Sequence, residues 1–128
     1  MIGSGNIDRV VPQYNVPPGT TLITWVKDHP HELCLEILDS AKWAKDIPAD
    51  RIPVLMLVEP SGVHLFQIGM REGIIESLEK AQDFFVNIEE YEKAVETRDL
   101  IKFYTDEYNE RYGIDVTPVI GKIYKQNN

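Results

Sequence analysis

The fold is decided by residues 51–78, RIPVLMLVEPSGVHLFQIGMREGIIESL, where strand, turn, strand and helix signals follow one another without a gap. The apolar run at residues 54–58 is typical of a strand that is buried on both faces. The next four residues, EPSG, are turn formers, and a second apolar strand follows them. We therefore predict an antiparallel hairpin of strands 52–58 and 63–68, with a helix behind it.

The segment before the hairpin predicts one strand and one helix. Residues 20–26 (TTLITWV) are rich in β-branched and aromatic side chains, which favours a strand. Asp28 can cap a helix, and apolar side chains then recur at helical spacing to about Lys45. Residues 1–19 carry several Gly and Pro residues and no periodicity, so we expect an extended lead-in.

The segment after the hairpin predicts two acidic helices and a short last strand. One helical face begins at Ile74 and ends at Phe85, and a second helical pattern follows the break at Asn87. Residues 114–124 are expected to form a last strand, which Pro118 confines to an edge of the sheet. We predict a single globular domain over residues 20–124 and a frayed tail over residues 125–128.

These elements predict an α+β (or α/β) fold with a βαββα core around the central hairpin. The segment from Ile52-Pro53 through the strand VLMLV, the turn PSG and the strand VHLFQI to the following helix resembles the C-terminal half of thioredoxin-like proteins. The resemblance covers residues 51–85. It implies a cis peptide bond before Pro53 and an active-site turn beside that proline.

The chain departs from the thioredoxin pattern at the position of the redox motif. Residues 28–32 read DHPHE, and the only thiol, Cys34, follows them, so dithiol exchange within one chain is not available. A ferredoxin-like βαββαβ sandwich uses the same elements and includes the last strand, so it is the equal alternative. A roadblock-like or profilin-like arrangement is a third alternative.

Charge is concentrated in one part of the chain. Residues 72–110 carry twelve acidic and four basic side chains, which accounts for the whole net charge of −8. Nucleic-acid backbones need a basic surface, so direct nucleic-acid binding is not expected. A basic protein partner is the natural counterpart of such a helical face.

The cellular environment is predicted from what the sequence lacks. A single cysteine excludes an internal disulfide, and the N-terminal residues lack the basic and apolar regions of a signal peptide. The longest apolar run is far below the roughly 20 residues that span a bilayer. We therefore expect a cytoplasmic protein without a membrane span.

A cluster of possible metal ligands lies between the first two predicted elements. His29, His31 and Cys34 fall within six residues, and all three side chains bind transition metals. His64 is a candidate fourth ligand. The spacing matches no standard zinc pattern, so the favoured interpretation is exposed histidines beside a buried cysteine. We therefore predict no cofactor, with zinc or a similar metal as the alternative.

Two features of the acidic helices suggest partner contact. Tyr104, Tyr108 and Tyr112 recur every four residues and form one helical stripe, which suits core packing or a half-buried docking or homodimer surface. The acidic residues expected to contact a partner are Glu89, Glu90, Glu92 and Glu96.

We predict a non-catalytic, acidic protein-interaction module that engages a basic partner through its helical face. An inhibitor, an immunity-type factor, an accessory subunit or a small viral protein would fit this description. No nucleophile, phosphate-loop or metalloprotease motif occurs. The alternative is a thioredoxin-fold derivative that binds a metal, a small ligand or a client protein near His29, His31 and Pro53.

Overall fold

The computed structural model describes residues 10–47, 50–69 and 72–112, with the side chains of residues 111 and 112 excepted. Within these ranges the chain forms three strands and four helices. They are β1 (Gln13–Asn15), α1 (Leu22–Asp28), α2 (Pro30–Ala44), β2 (Arg51–Glu59), β3 (Gly62–Gly69), α3 (Glu72–Asn87) and α4 (Tyr91–Tyr112). The predicted α+β class is confirmed.

The three strands form one sheet in the order β1-β2-β3. β1 pairs in parallel with β2, with Tyr14 opposite Leu57. β2 pairs antiparallel with β3, and Glu59 faces Gly62 across the tight turn, so the predicted hairpin is confirmed. The parallel pairing requires a crossover between β1 and β2, which α1 and α2 provide.

The central strand β2 supplies much of the core. Ile52, Val54, Leu55 and Leu57 are all fully buried. An irregularity in the β2–β3 register lies between Pro53 and Leu55, which is a common setting for proline in a strand because proline has no N–H to donate. None of the described peptide bonds is cis, so the bond before Pro53 is trans rather than the cis bond that the resemblance implies.

Residues 22–26, predicted as part of a strand, lie in helix α1. The Thr21 and Thr24 side chains make a reciprocal capping box at its start, which satisfies backbone donors that a helix end leaves unpaired. Leu22, Trp25 and Val26 then lie at helical spacing and pack on the core. Capping and packing override the β-propensity of these residues, and the strand prediction is wrong.

The first strand lies earlier than the sequence indicated. Gln13–Asn15, assigned to the extended lead-in, forms β1 and belongs to the sheet. The predicted last strand at residues 114–124 lies outside the described residues. The thioredoxin-like resemblance and the ferredoxin-like alternative remain predictions.

The helices cover the sheet through a continuous apolar interior. Helix α3 contributes four fully buried side chains at helical spacing, namely Ile74, Leu78, Ala81 and Phe85. Helix α4 packs against α3 and also contacts α2. Its residues Ala94, Leu100 and Tyr104 belong to the same core. Among the described residues, no helix combines the length and apolar character needed to cross a membrane.

Candidate protein-interaction surface

The turn between α3 and α4 forms a sharp, fully hydrogen-bonded corner. The Glu90 backbone N–H donates to the Phe85 carbonyl at 2.8 Å, and the Glu89 N–H donates to the Val86 carbonyl at 3.0 Å. This pair of bonds is the Schellman motif, which satisfies the last carbonyls of a helix. Glu89 has a φ of 63°, at the position where such motifs usually carry glycine.

Four large apolar side chains are exposed around this corner. They lie within ten residues of sequence, and Tyr91 and Val95 are one helical turn apart on the same face of α4. Their exposed fractions are far above those of the neighbouring core residues Phe85 (0%) and Ala94 (6%). This surface, the corner patch, comprises Val86 (44%), Ile88 (40%), Tyr91 (58%) and Val95 (44%).

Acidic side chains predominate in the stretch that carries the corner patch. Residues 83–95 contain four acidic side chains and one basic side chain, that of Lys93. Three of these acids are exposed, and we call them the acidic rim: Asp83, Glu89 and Glu92. An apolar centre with a charged border is typical of a surface that binds another protein.

Two of the four predicted glutamates are engaged within the molecule. The Glu90 carboxylate lies 3.2 Å from His31 Nε2, and the Glu96 carboxylate accepts from Lys42 Nζ at 2.9 Å. The first pair connects the turn before α4 to α2, and the second connects α4 itself to α2; both are partly exposed, so each stabilises the fold by about 1 kcal/mol at most. Glu89 and Glu92 remain as the predicted acids that face solvent at the corner.

The tyrosine stripe is not a docking surface as a whole. Tyr104 is only 5% exposed, and its hydroxyl donates to the Ala41 carbonyl at 2.6 Å. Burial raises the pKa of its hydroxyl. Tyr104 is therefore a core residue and is withdrawn from the predicted contact set. Tyr108 is half-buried and donates to Glu72 at 3.2 Å, and the Tyr112 side chain lies outside the described residues.

His29 has a structural role at the junction of α1 and α2. Its backbone and its ring Nδ1 both bond the Trp25 carbonyl, at 2.9 Å each. The imidazole also stacks on the Trp25 indole, with ring centroids 4.5 Å apart and planes 13° apart. These contacts fix the ring in one orientation.

A cleft of about 350 Å³ lies beside this stack. It is bounded by the loop after β1 on one side and by α1 on the other. Its lining residues are Asn15, Val16, Pro17, Thr20, Thr24, Trp25, Asp28 and His29. Pro53 is not among these described lining residues, because the cleft lies at the Val58 end of β2, about 17 Å along the strand from Pro53.

The three predicted metal ligands are not brought together. His29 contacts Trp25, His31 contacts Glu90, and Cys34 is 8% exposed in the core. Burial raises the pKa of the Cys34 thiol to about 11, so the thiolate that binds metal is disfavoured. In the part of the chain that the structure describes, no group of three or more His, Cys, Asp or Glu side chains is arranged to hold a metal ion.

His64, the candidate fourth ligand, belongs to a different cluster at the hairpin turn. Its Nε2 donates to the Glu59 carboxylate, which also accepts from the Gly19 backbone N–H at 3.1 Å and from the Ser61 hydroxyl at 3.0 Å. The hydrogen bonds from these three donors lower the pKa of Glu59 to about 2, and the bond from His64 has the largest effect. Gly19 has a φ of +84°, which glycine adopts without strain.

Comparison with known proteins adds no relative. No family model matches the chain, and no curated protein or solved structure is significantly similar to it.

Sequence reasoning found the acidic helices but missed the corner patch and the cleft. A signal for the corner patch was present: Tyr91 and Val95 fall on the side of α4 away from Ala94, Leu100 and Tyr104. The cleft gave no such signal, because its walls come from a loop and a helix that the sequence did not predict correctly.

Proposed function

We propose that this chain is a non-catalytic, acidic protein-interaction module that binds a basic partner through the α3–α4 corner. The observation that carries the proposal is the coincidence of the exposed corner patch with the acidic rim. Exposed apolar side chains supply affinity when a partner buries them, and the surrounding charges select a partner of opposite sign.

The partner chemistry follows from the two parts of the surface. A segment with two or three apolar side chains on one face and Lys or Arg beside them would cover Tyr91 and Val95 and pair with Glu89 and Glu92. The charges act mainly on the rate of association and on specificity. Binding should therefore weaken as salt is raised.

The backbone at Glu89 supports a role for its charge. A non-glycine residue in the left-handed region costs roughly 1 kcal/mol relative to glycine. Glycine would relieve this strain, but it would also remove one of the two acids nearest the corner patch. Backbone strain at Glu89 therefore supports a functional role for its carboxylate.

The test compares three forms of the full chain as immobilised baits in a lysate of the cells that naturally express it. The first is the wild type, the second is Glu89→Lys with Glu92→Lys, and the third is Asp46→Lys with Asp50→Lys. The third changes net charge equally but places the changes in the connection from α2 to β2, where Asp46 lies about 20 Å from the end of α2 that faces the corner. Circular dichroism first checks that all three forms are folded.

We expect a basic protein that the wild type and the α2 control retain and that the corner variant loses. Elution of this protein by raised salt is the second expected result. Equal retention by all three forms would contradict the proposal, as would a complex that is insensitive to salt. Inhibitor, immunity-type and accessory roles in the cytoplasm all agree with such a module, and the identity of the retained protein separates them.

A second candidate function is the binding of a small ligand near His29, on a thioredoxin-fold derivative. The cleft beside His29 favours it. Binding of a metal ion near His29 has less support, because the described residues include no cluster of three or more possible ligands. A homodimer through the tyrosine stripe also has less support, because Tyr104 is buried.

A further inference from the structure

The cleft lies where α/β sheets commonly bind ligands. β1 and β2 run parallel, and their carboxyl ends meet where the Val16 N–H donates to the Val58 carbonyl at 2.9 Å. Asn15 and Val16, at that end of β1, line the cleft. Ligands of parallel sheets generally bind in the crevice outside the carboxyl ends of the strands.

The cleft is preformed, because both of its walls are held by hydrogen bonds. The loop wall is held by the Gly19–Glu59 bond at 3.1 Å and by the Thr20 N–H, which donates to the Pro17 carbonyl at 3.2 Å. The helical wall is held by the capping box that begins α1. A preformed site loses little conformational entropy when a ligand binds.

Two polar groups of the cleft, on Asp28 and His29, are available to accept hydrogen bonds from a ligand. Because the Trp25 carbonyl can only accept, His29 Nδ1 carries the proton, which leaves Nε2 of the neutral ring with a free lone pair. Neither Nε2 nor the exposed Asp28 carboxylate has a hydrogen-bond partner among the described residues. The Asn15 side chain can add a third acceptor.

Part of the remaining lining is apolar. Val16, Pro17 and Trp25 line the cleft, and the Trp25 indole, only 4% exposed, is fixed between Tyr14, with ring centroids 5.0 Å apart, and His29. Such a wall suits a short methylene chain or a flat group. The volume of about 350 Å³ is at the small end of ligand pockets, which span roughly 300–1,000 Å³.

We propose that this cleft binds a small organic cation with N–H donors, either a guanidinium or an alkylammonium group on a short apolar stem. The donors pair with the Asp28 carboxylate and His29 Nε2, and the stem lies against Val16, Pro17 and Trp25. The net charge of −8 is carried by residues 72–110, outside the cleft, so the selection for a cation comes from Asp28 itself. This inference rests on the second candidate function and names its ligand class.

The test is a calorimetric and ¹H–¹⁵N NMR titration of the full chain with agmatine, which carries both cationic groups. A neutral alkylurea of similar length is the isosteric control. We expect amide shifts at the cleft residues, at least tenfold weaker binding of the urea, and at least tenfold weaker binding of agmatine to Asp28→Asn. The matched variant Asp46→Asn, on the exposed turn after α2, should bind agmatine like the wild type.

Two sources of the cation are separated by a second ligand, a blocked Gly-Arg-Gly peptide. Binding of the peptide at least as tight as that of agmatine indicates an arginine side chain of another protein, and binding of agmatine alone indicates a free amine. If the urea binds as well as agmatine, the cleft is a ligand site but the cation assignment is wrong. If no ligand shifts the cleft residues, or if Asp28→Asn has no effect, the proposal is overturned. The acidic rim is not involved, so this outcome leaves the first candidate function intact.

Discussion

Replacing Tyr104 with phenylalanine tests whether this tyrosine serves the core. Ala41 lies in the last turn of α2, where carbonyls lack partners inside the helix, and the Lys45 N–H bonds the Lys42 carbonyl instead. The Tyr104 hydroxyl therefore caps the buried Ala41 carbonyl at 2.6 Å. Tyr104→Phe leaves that acceptor unsatisfied, so we expect a loss of about 1–2 kcal/mol. The melting temperature should fall by about 3–6 °C for each kcal/mol.

The measurement is urea unfolding followed by circular dichroism, for the wild type, Tyr104→Phe and Tyr108→Phe. Tyr108→Phe is the matched control, because the Tyr108 hydroxyl donates at 3.2 Å to an exposed Glu72 carboxylate. We expect it to cost less than about 0.5 kcal/mol. If the free energy of unfolding falls with urea concentration at the same slope in all three forms, the substitutions have changed stability and not the surface that unfolding exposes. If Tyr104→Phe cost no more than Tyr108→Phe, the hydroxyl would have no capping role.

Three further predictions concern the pH dependence, the thiol and the corner. The pKa of Glu59 falls from 4.5 to about 2 on folding, so its stabilisation is present above pH 4.5 and is lost as the pH falls through 2. The melting temperature of the wild type should exceed that of Glu59→Gln at pH 5 and approach it at pH 2; a constant difference would refute the role of the charge. Cys34, buried and with its pKa raised to about 11, should react with Ellman's reagent at pH 8 only after unfolding in urea, and fast reaction of the native protein would contradict its placement. Glu89→Gly should raise stability by up to about 1 kcal/mol in thermal melts, because it relieves the φ of 63°, while weakening partner binding; no gain in stability would show that the left-handed backbone carries no strain.

The hairpin and the long helices were predictable because their signals are local. The run at residues 54–58, the turn formers after it and the apolar spacing of Ile74, Leu78 and Phe85 each specify one structure. Their agreement with one another made the fold class predictable.

The first strand and α1 were not predictable from the same rules. Residues 22–26 combine β-branched side chains with helical spacing, and only the capping box at Thr21 and packing on the core decide for the helix. β1 is only three residues long, and its parallel pairing with β2 is a long-range contact that short apolar runs do not signal.

The candidate site was predictable in charge but not in geometry. The acidic residues were visible as a cluster, yet the pairing of Glu90 with His31 and of Glu96 with Lys42 depends on how α2 packs against α4. The tyrosines of the stripe recur at a constant spacing but lie in different environments, since Tyr104 is buried and Tyr108 is half-buried. Spacing alone cannot separate a core face from a docking face.

We propose that the corner patch and the acidic rim bind a basic amphipathic segment. The most direct test of this binding is a ¹H–¹⁵N NMR titration with a helical peptide that carries leucine on one face and lysine on the other. We expect the largest amide shifts within residues 83–95, and we expect the Glu89→Lys, Glu92→Lys variant to lose them. Equal shifts with a peptide that carries glutamate in place of lysine, or shifts confined to other surfaces, would contradict binding of a basic segment at the corner.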